Sequence, residues 1–397
     1  MSADHVAVVD LGYGDAGKGR VVDALCAAGD VRAVLRFNGG AQAAHNVIAA
    51  DGRHHTFAQF GAGTLLGVPT HLTRFVVVDP LALAAEAAAL GNPFHLLTVD
   101  GDALLATPWH RAANQAREKR RGPGRHGSCG MGIGQTMEYA QSHADAPRVA
   151  DVLSAALPRK LAAVRSALTA EFGPLDAPPL DDVVAAFRAF GAAVSIVAPG
   201  FEQRLLSEGR CVFEGAQGVL LDEWRGWHPF TTWSTTTFDN VAALCDSFER
   251  LGVVRTYTTR HGAGPFVTEA ALDLPEAHNG VGEWQGSFRV GHFDAVAHRY
   301  AVEVAGGVDG LAVTHLDAPA RCPELRICTS YSTLDHLGPG PFRDLAYQER
   351  LTSLLMRERP GVLYRPDDWA ADIGSLLGAP VLLESWGPRR VNVRVPA

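Results

Sequence analysis

Apolar residues recur along this chain in two rhythms. Short unbroken runs, "HVAVVDL" (5–11), "RAVLRF" (32–37), "RFVVVD" (74–79) and "FHLLTV" (94–99), stop at glycine, asparagine or aspartate and predict strands buried on both faces. Between them, "GRVVDALCAA" (19–28) and "PLALAAEAAAL" (80–90) carry apolar residues at helical spacing. The alternation predicts an α/β fold, a mainly parallel central sheet with helices on both faces. Residues 149–208 are Ala- and Leu-rich with a helical period, broken by the Pro-rich "GPLDAPPL". They predict a helical subregion inside one domain that spans residues 1–397. "RCVFEGAQGVLLD" (210–222), "GLAVTHLD" (310–317) and "APVLLESWGP" (379–388) return to strand-like runs ending in polar residues, where open α/β sheets place ligands.

The formal charge of -8 gives no general attraction to nucleic acid or to an anionic membrane, so neither is expected as a partner. The local basic run "REKRRGPGRHG" (117–127) reads first as a solvated loop. Cys26, Cys129, Cys211, Cys245, Cys322 and Cys328 show no zinc spacing and no C-x-x-C pair, which fits buried thiols in a reducing compartment. The first ten residues lack the charged start and apolar run of a signal peptide, and no apolar run approaches the ~18 residues of a membrane span. A soluble, cytoplasmic protein is the expectation.

"LGYGDAGKGR" (11–20) nearly spells the phosphate loop G-x-x-x-x-G-K-[ST], with Gly12, Gly17 and Lys18 in register and Gly19 where the hydroxyl belongs. A strand before it and a helix after it suit backbone amides that hold phosphate. Asp15 sits inside the loop, as a helix N-cap or as a magnesium ligand and proton acceptor. "RFNGGAQAAHNV" (36–47) offers Gln42 and His45 after a glycine pair. "FEGAQGVLLD" (213–222) sets Gln217 between glycines, "TTWSTTT" (231–237) is rich in hydroxyls, and "YTTRHGAGPFVTE" (257–269) joins one cation to a tight backbone.

Taken together these segments resemble adenylosuccinate synthetases. That family carries, in order, G-D-E-G-K-G-K, R-Y-Q-G-G-x-N-A-G-H, G-T-T-G-x-G-I-G, F-E-G-A-Q-G-x-L-L-D, T-R-x-G-A-G-P-F-x-T-E, T-K-L-D and S-x-G-P. This chain has "GDAGKGR", "RFNGGAQAAH", "GSCGMGIG", "FEGAQGVLLD", "TRHGAGPFVTE", "THLD" and "SWGP" in the same order, from Val6 to about Arg390. The resemblance implies a GTP- and magnesium-dependent ligase, a homodimer in the family, that joins inosinate to aspartate. By it, Asp15 is the base and a magnesium ligand with the Ala44 carbonyl, His45 the acid, and Gln217 positions the purine. Lys18 and the loop residues Gly14, Gly17, Gly19 and Arg20 hold the GTP phosphates. His315 and Asp317 meet the guanine, with Ser385 and Gly387 closing over it.

The departures fall in the other pockets. The family's 5′-phosphate ligands become Gln42 and, in its G-T-T-G, Ser128 and Cys129, while Thr232 matches. Cys129 is a poor hydrogen-bond donor beside threonine. The arginine that crosses the family's dimer to that phosphate has no clear counterpart; His143 and Arg148 lie nearest. The arginine-rich amino-acid loop, T-T-G-R-R-R-R-x-G-W-x-D, is reduced to "WQGSFRVGHFD" (284–294), which offers Trp284, Gln285, Gly286 and a single arginine, Arg289. Bidentate arginines are the usual grip on a dicarboxylate. His315 replaces the lysine of T-K-L-D. Relatives that act on deoxyguanylate carry serine in place of the loop acid, so Asp15 argues against that branch. Three readings stand: ligation of inosinate to aspartate, the same chemistry on another acceptor or amine in specialised nucleoside metabolism, and a catalytically weak nucleotide-binding regulatory homologue.

Overall fold

A computed structural model describes residues 5–276 and 282–394. Ten strands form the central sheet, in chain order β1 (Val6–Asp10), β2 (Val31–Arg36), β3 (Thr70–Leu72), β4 (Leu97–Asp100), β5 (Ser195–Val197), β6 (Arg210–Glu214), β7 (Glu249–Arg255), β8 (Gly310–Thr314), β9 (Val381–Ser385) and β10 (Val393–Arg394). Their spatial order is β10-β9-β8-β7-β1-β6-β2-β3-β4-β5. Every pairing is parallel except the edge pair β9–β10.

Alternation along the central strands builds a core on each face. Ala7 and Val9 of β1, with Cys211 and Phe213 of β6, point into one core. Val6, Val8 and Val212 point into the other. The first core is closed by the helix Ala295–Val304 and the helices Leu345–Leu355 and Trp369–Leu377. The second is closed by α1 (Lys18–Ala28), α2 (Pro80–Ala89), α3 (Pro108–Arg121), α5 (Leu157–Phe172) and α6 (Leu180–Ala193), with α4 (Ile133–Ser142) packed beside α3. Local chemistry sets the helix starts. Asp79 caps α2 by accepting the Leu81 and Ala82 amides, with Pro80 at the first helical position. Thr107 and His110 form a reciprocal cap on α3.

Two sequence expectations change, and one strand of the sheet was not expected. "RFVVVD" is not a main-sheet strand: Thr70–Leu72 takes that place, and Val77–Val78 pairs instead with Leu104–Leu105, with a single bridge from Val77 to Gly40. Residues 149–208 are mostly helical but also supply the edge strand β5. β7, at the sheet centre, has no clean apolar run, because Glu249 and Arg250 open it and Gly252 interrupts it.

The basic run at 117–127 is the end of α3 and its exit turn, not a free patch. Arg117 pairs with Glu138 and Glu171, Arg120 donates to the Glu171 and Phe172 carbonyls, and Arg121 pairs with Glu118. All six cysteines are free thiols. Among the described residues, no helix is long and apolar enough to cross a membrane.

Candidate active site

The carboxyl ends of the neighbouring strands β8, β7, β1 and β6 converge on one cavity of about 950 Å³. β1 ends in Asp10, a residue the sequence reading took only as part of a strand. Its Oδ1 accepts the Gly12 and Gly14 amides at 2.8 and 3.3 Å, and its Oδ2 accepts Ala16 N and Lys18 Nζ at 2.9 and 3.1 Å. The Gly-rich loop is therefore wound around a buried carboxylate that its own lysine neutralises. Lys18 also donates to the Gln217 carbonyl at 2.6 Å, which joins this loop to "FEGAQG".

Among the described residues, five non-glycines occupy the left-handed region, and three are predicted site residues: Asp15 (φ 60°), Gln217 (φ 57°) and His315 (φ 56°). Such backbone is costly for side chains other than glycine and concentrates at functional sites. Asp15 does not cap α1; Gly17 holds that position, without a side-chain bond. The Asp15 carbonyl accepts Arg255 Nε at 2.6 Å, and its Oδ2 lies 3.4 Å from His261 Nε2. Burial pushes this carboxyl up, but the His261 hydrogen bond and the Arg255 and Lys18 charges outweigh it and leave it below its ordinary value. Asp15 is thus ionised at neutral pH and able to take a proton. Arg255 is itself held by Glu276 and by the Tyr257 hydroxyl.

His45 opens a hairpin, His45–Ile48 with His54–Phe57. Its Nδ1 is 2.6 Å from Oε1 of Glu214, the fully buried last residue of β6. The other Glu214 oxygen accepts the Ala62 amide. Burial raises the Glu214 carboxyl, but the Arg36 charge and the His45 hydrogen bond bring it below its ordinary value. Burial lowers His45, and Glu214 only partly restores it. The neutral ring therefore donates Nδ1–H to Glu214 and keeps Nε2 for a substrate. Glu214, like Asp10, reads in the sequence only as a strand residue, because its partner lies 169 positions away.

Gln42 and Gln217 line the cavity with buried amide atoms that have no hydrogen-bond partner: Gln42 Oε1 and Nε2, and Gln217 Oε1. Buried polar atoms are rarely left so unless a ligand or water completes them. Thr232, Ser128 and Cys129 line the same cavity. The Ser128 hydroxyl accepts from Asn114 at 2.8 Å, and burial pushes the Cys129 thiol up.

Arg20 and His315 form another part of the cavity wall. Arg20 donates to the Ser385 hydroxyl at 2.9 Å, and Ser385 donates on to the Gly387 carbonyl. Burial, and then the Arg255 charge, push Arg20 down to about 10. Burial and three arginines keep His315 well below its ordinary value, so it is neutral. Asp317, Ser385 and Gly387 stand behind this wall and do not line the cavity. Asp317 pairs with Arg321 through Oδ2, and its buried Oδ1 has no partner.

The amine-donor loop is only partly at the cavity. Gln285 lines it; Trp284, Gly286 and Arg289 do not. Trp284 stacks beneath Lys119 and Arg125. Arg289 is bound to Glu269 at 2.8 Å and to the Gly264 carbonyl at 2.9 Å. His143 stacks on Tyr139 at the end of α4, and Arg148 donates to the Asp102 carbonyl. Asp15 and Ala44 both line the cavity, and among the described residues no set of three or more His, Cys, Asp or Glu side chains is arranged around a metal. One carboxylate and one carbonyl suit Mg²⁺, which keeps most of its coordination for phosphates and water.

Fold and site define an α/β protein whose phosphate loop holds an acid as well as a lysine. Sequence comparison narrows this further. Residues 7–353 match the adenylosuccinate synthetase family. Adenylosuccinate synthetase of Anaeromyxobacter sp. is 34% identical over 365 residues, covering 85% of this chain and 84% of that protein. Its counterpart in Magnetococcus marinus is 33% identical over 356 residues, covering 82% and 80%. In fold, the chain is similar over its whole length to the fully ligated adenylosuccinate synthetase of Plasmodium falciparum, with a TM-score of 0.85 at 20% identity and all of that chain covered. A cyanophage S-2L succinoaminodeoxyadenylate synthetase bound to dGMP and dATP follows with a TM-score of 0.66 at 20% identity, covering 100% and 96%. The chain belongs to the adenylosuccinate synthetase family, whose members are GTP-dependent ligases that form a C–N bond.

Proposed function

We propose that this ligase keeps the family's activation step and uses it on a purine-like acceptor, or with an amine, other than inosinate and aspartate. One observation carries the reading. Asp15, Lys18, His45 and Gln217 surround a single cavity, while Arg289, the arginine left in the donor loop, is turned to Glu269 and Gly264 outside it. Each charged hydrogen bond to a dicarboxylate that no other cation replaces forfeits about 1.5–3 kcal/mol; Arg117, Arg121, Arg255 and Arg260 also line the cavity.

In this mechanism Asp15 takes the proton from the ring nitrogen beside the acceptor's oxo group. The freed oxygen attacks the γ-phosphate of GTP, and an amine then displaces the phosphorylated oxygen. Phosphorylation is needed because an amide oxygen leaves poorly. Lys18, Arg20 and the loop amides hold the phosphates, and His315 and Asp317 form the guanine end. Gln217 and Gln42 hydrogen-bond the acceptor through their unpaired amides. Thr232, Ser128 and Cys129 complete the acceptor's side. Anionic phosphates beside His45 raise its affinity for a proton. Its Nε2–H then faces the oxygen on which charge develops, with Glu214 stabilising the imidazolium. Asp15 and the Ala44 carbonyl would hold magnesium, which would supply positive charge to offset that of the phosphates. Alignment and electrostatics supply most of such a rate enhancement. A cytoplasmic homodimer is part of the proposal; sedimentation checks the dimer.

The test is phosphate release from GTP across inosinate, inosine and modified purine nucleosides and nucleotides, each with aspartate, with other amines and without amine. Turnover with inosinate and aspartate at the rate of an ordinary family member refutes the altered-substrate reading. No release with any pair refutes the activation step as well.

A further inference from the structure

His261 occupies the position between arginine and glycine in "TRHGAGPF", where the family motif specifies no residue. It ends the first strand of the hairpin Thr258–His261 with Phe288–Gly291. Phe288 sits directly opposite, and the two rings meet edge to face at 4.7 Å, which fixes the imidazole plane. From there Nε2 reaches to 3.4 Å from Asp15 Oδ2. That is long for a charged hydrogen bond, as catalytic contacts often are before substrate binds.

Arg255 fixes the Asp15 backbone through its carbonyl, but that leaves both side-chain torsions of the carboxylate undetermined. We propose that His261 is the positioning residue for Asp15, holding Oδ2 so that Oδ1 is presented to the substrate proton. The two proton-handling groups are then supported alike, His45 by a carboxylate at 2.6 Å and Asp15 by an imidazole at 3.4 Å. In each pair the partner comes from a rigid strand and the working group from a loop or hairpin start. The inference rests on Asp15 as the proton acceptor.

Two variants separate orientation from packing. His261→Phe keeps a ring against Phe288 and removes the donor; His261→Gln restores an N–H near the same place. Crystal structures of both are compared with wild type, and kcat and KM are measured with whichever acceptor and amine wild type turns over. In the Phe variant the Asp15 carboxylate swings out of place and kcat falls about tenfold or more, with KM for GTP within about twofold. The Gln variant recovers the orientation and most of kcat. An Asp15 carboxylate that stays in place in the Phe variant overturns the proposal. So does a raised KM for acceptor or amine with kcat unchanged, because His261 then binds substrate directly. If wild type turns over nothing, the proposed function fails, while the crystal structures still decide whether His261 holds Asp15.

Discussion

Asp15, half-buried, and His45, buried, are both titratable groups that line the cavity, yet their surroundings prepare them for opposite work. Asp15 faces cationic and hydrogen-bond-donating neighbours, so it stays ionised and takes a proton. Asp15→Asn keeps the size of the side chain and removes this capacity. Phosphate release should fall by about 10²–10⁴-fold, while GTP binding, measured by calorimetry, survives on Lys18 and the loop amides. Unchanged release would remove Asp15 from the role of base. His45 depends on Glu214 for its tautomer. In Glu214→Gln the amide accepts the same Nδ1–H without the charge that steadies an imidazolium. A drop in kcat of about 10–100-fold is expected. The melting midpoint should also fall, because the nearby Arg36 loses a compensating charge.

The loop from β1 to α1 shows what could be read at the scale of elements. Its strand, turn and helix were legible from glycine spacing and apolar runs, and so was the odd acid. The missing hydroxyl has a structural reason. A Cβ on Gly19 would lie 2.9 Å from His45 Cβ and 3.1 Å from the Asn46 carbonyl, so the hairpin that carries the acid fills that space. Gly19→Ser, which completes the phosphate-loop motif on paper, should cost about 1–3 kcal/mol in urea melts and displace His45, lowering turnover. A stable, fully active Gly19→Ser protein would refute this packing. Asp10, Glu214 and His261 were not legible as site residues, because each acts through a partner distant in sequence or across a loop. β7 was hidden for a related reason. Its stability comes from neighbours on both sides, β1 and β8, rather than from its own composition. Parallel sheets are built from such non-local pairings, so their central strands need the least local signal.

At the scale of the whole molecule, the core on one face reaches the cavity through a buried polar chain. Tyr13 lines the cavity and accepts the Trp227 indole N–H at 2.8 Å; Trp227 lies against Tyr300 of the helix Ala295–Val304. Asp294 caps that helix by accepting the Ala297 amide at 2.9 Å, and Tyr331 donates to the same carboxyl. Burial pushes Asp294 up to about 6. In the unfolded chain its pKa is about 3.9. Between those two values the folded state retains a proton that the unfolded chain has released. Stability therefore falls as pH rises through this window and is level above it. Two units correspond to about 3 kcal/mol. His110, buried in its cap and pushed down to about 3, has the opposite effect, adding stability as pH rises toward 6.5. The total pH profile mixes both groups, so the measurement must be a difference. Asp294→Asn keeps the cap and cannot ionise. Urea unfolding of both proteins at pH 4, 5, 6 and 7 should show wild type losing about 2 kcal/mol relative to the variant over this range, most of it by pH 6. A difference that stays constant over this range would mean that Asp294 is ionised in the fold throughout, with the Ala297 amide and the Tyr331 hydroxyl compensating its buried charge.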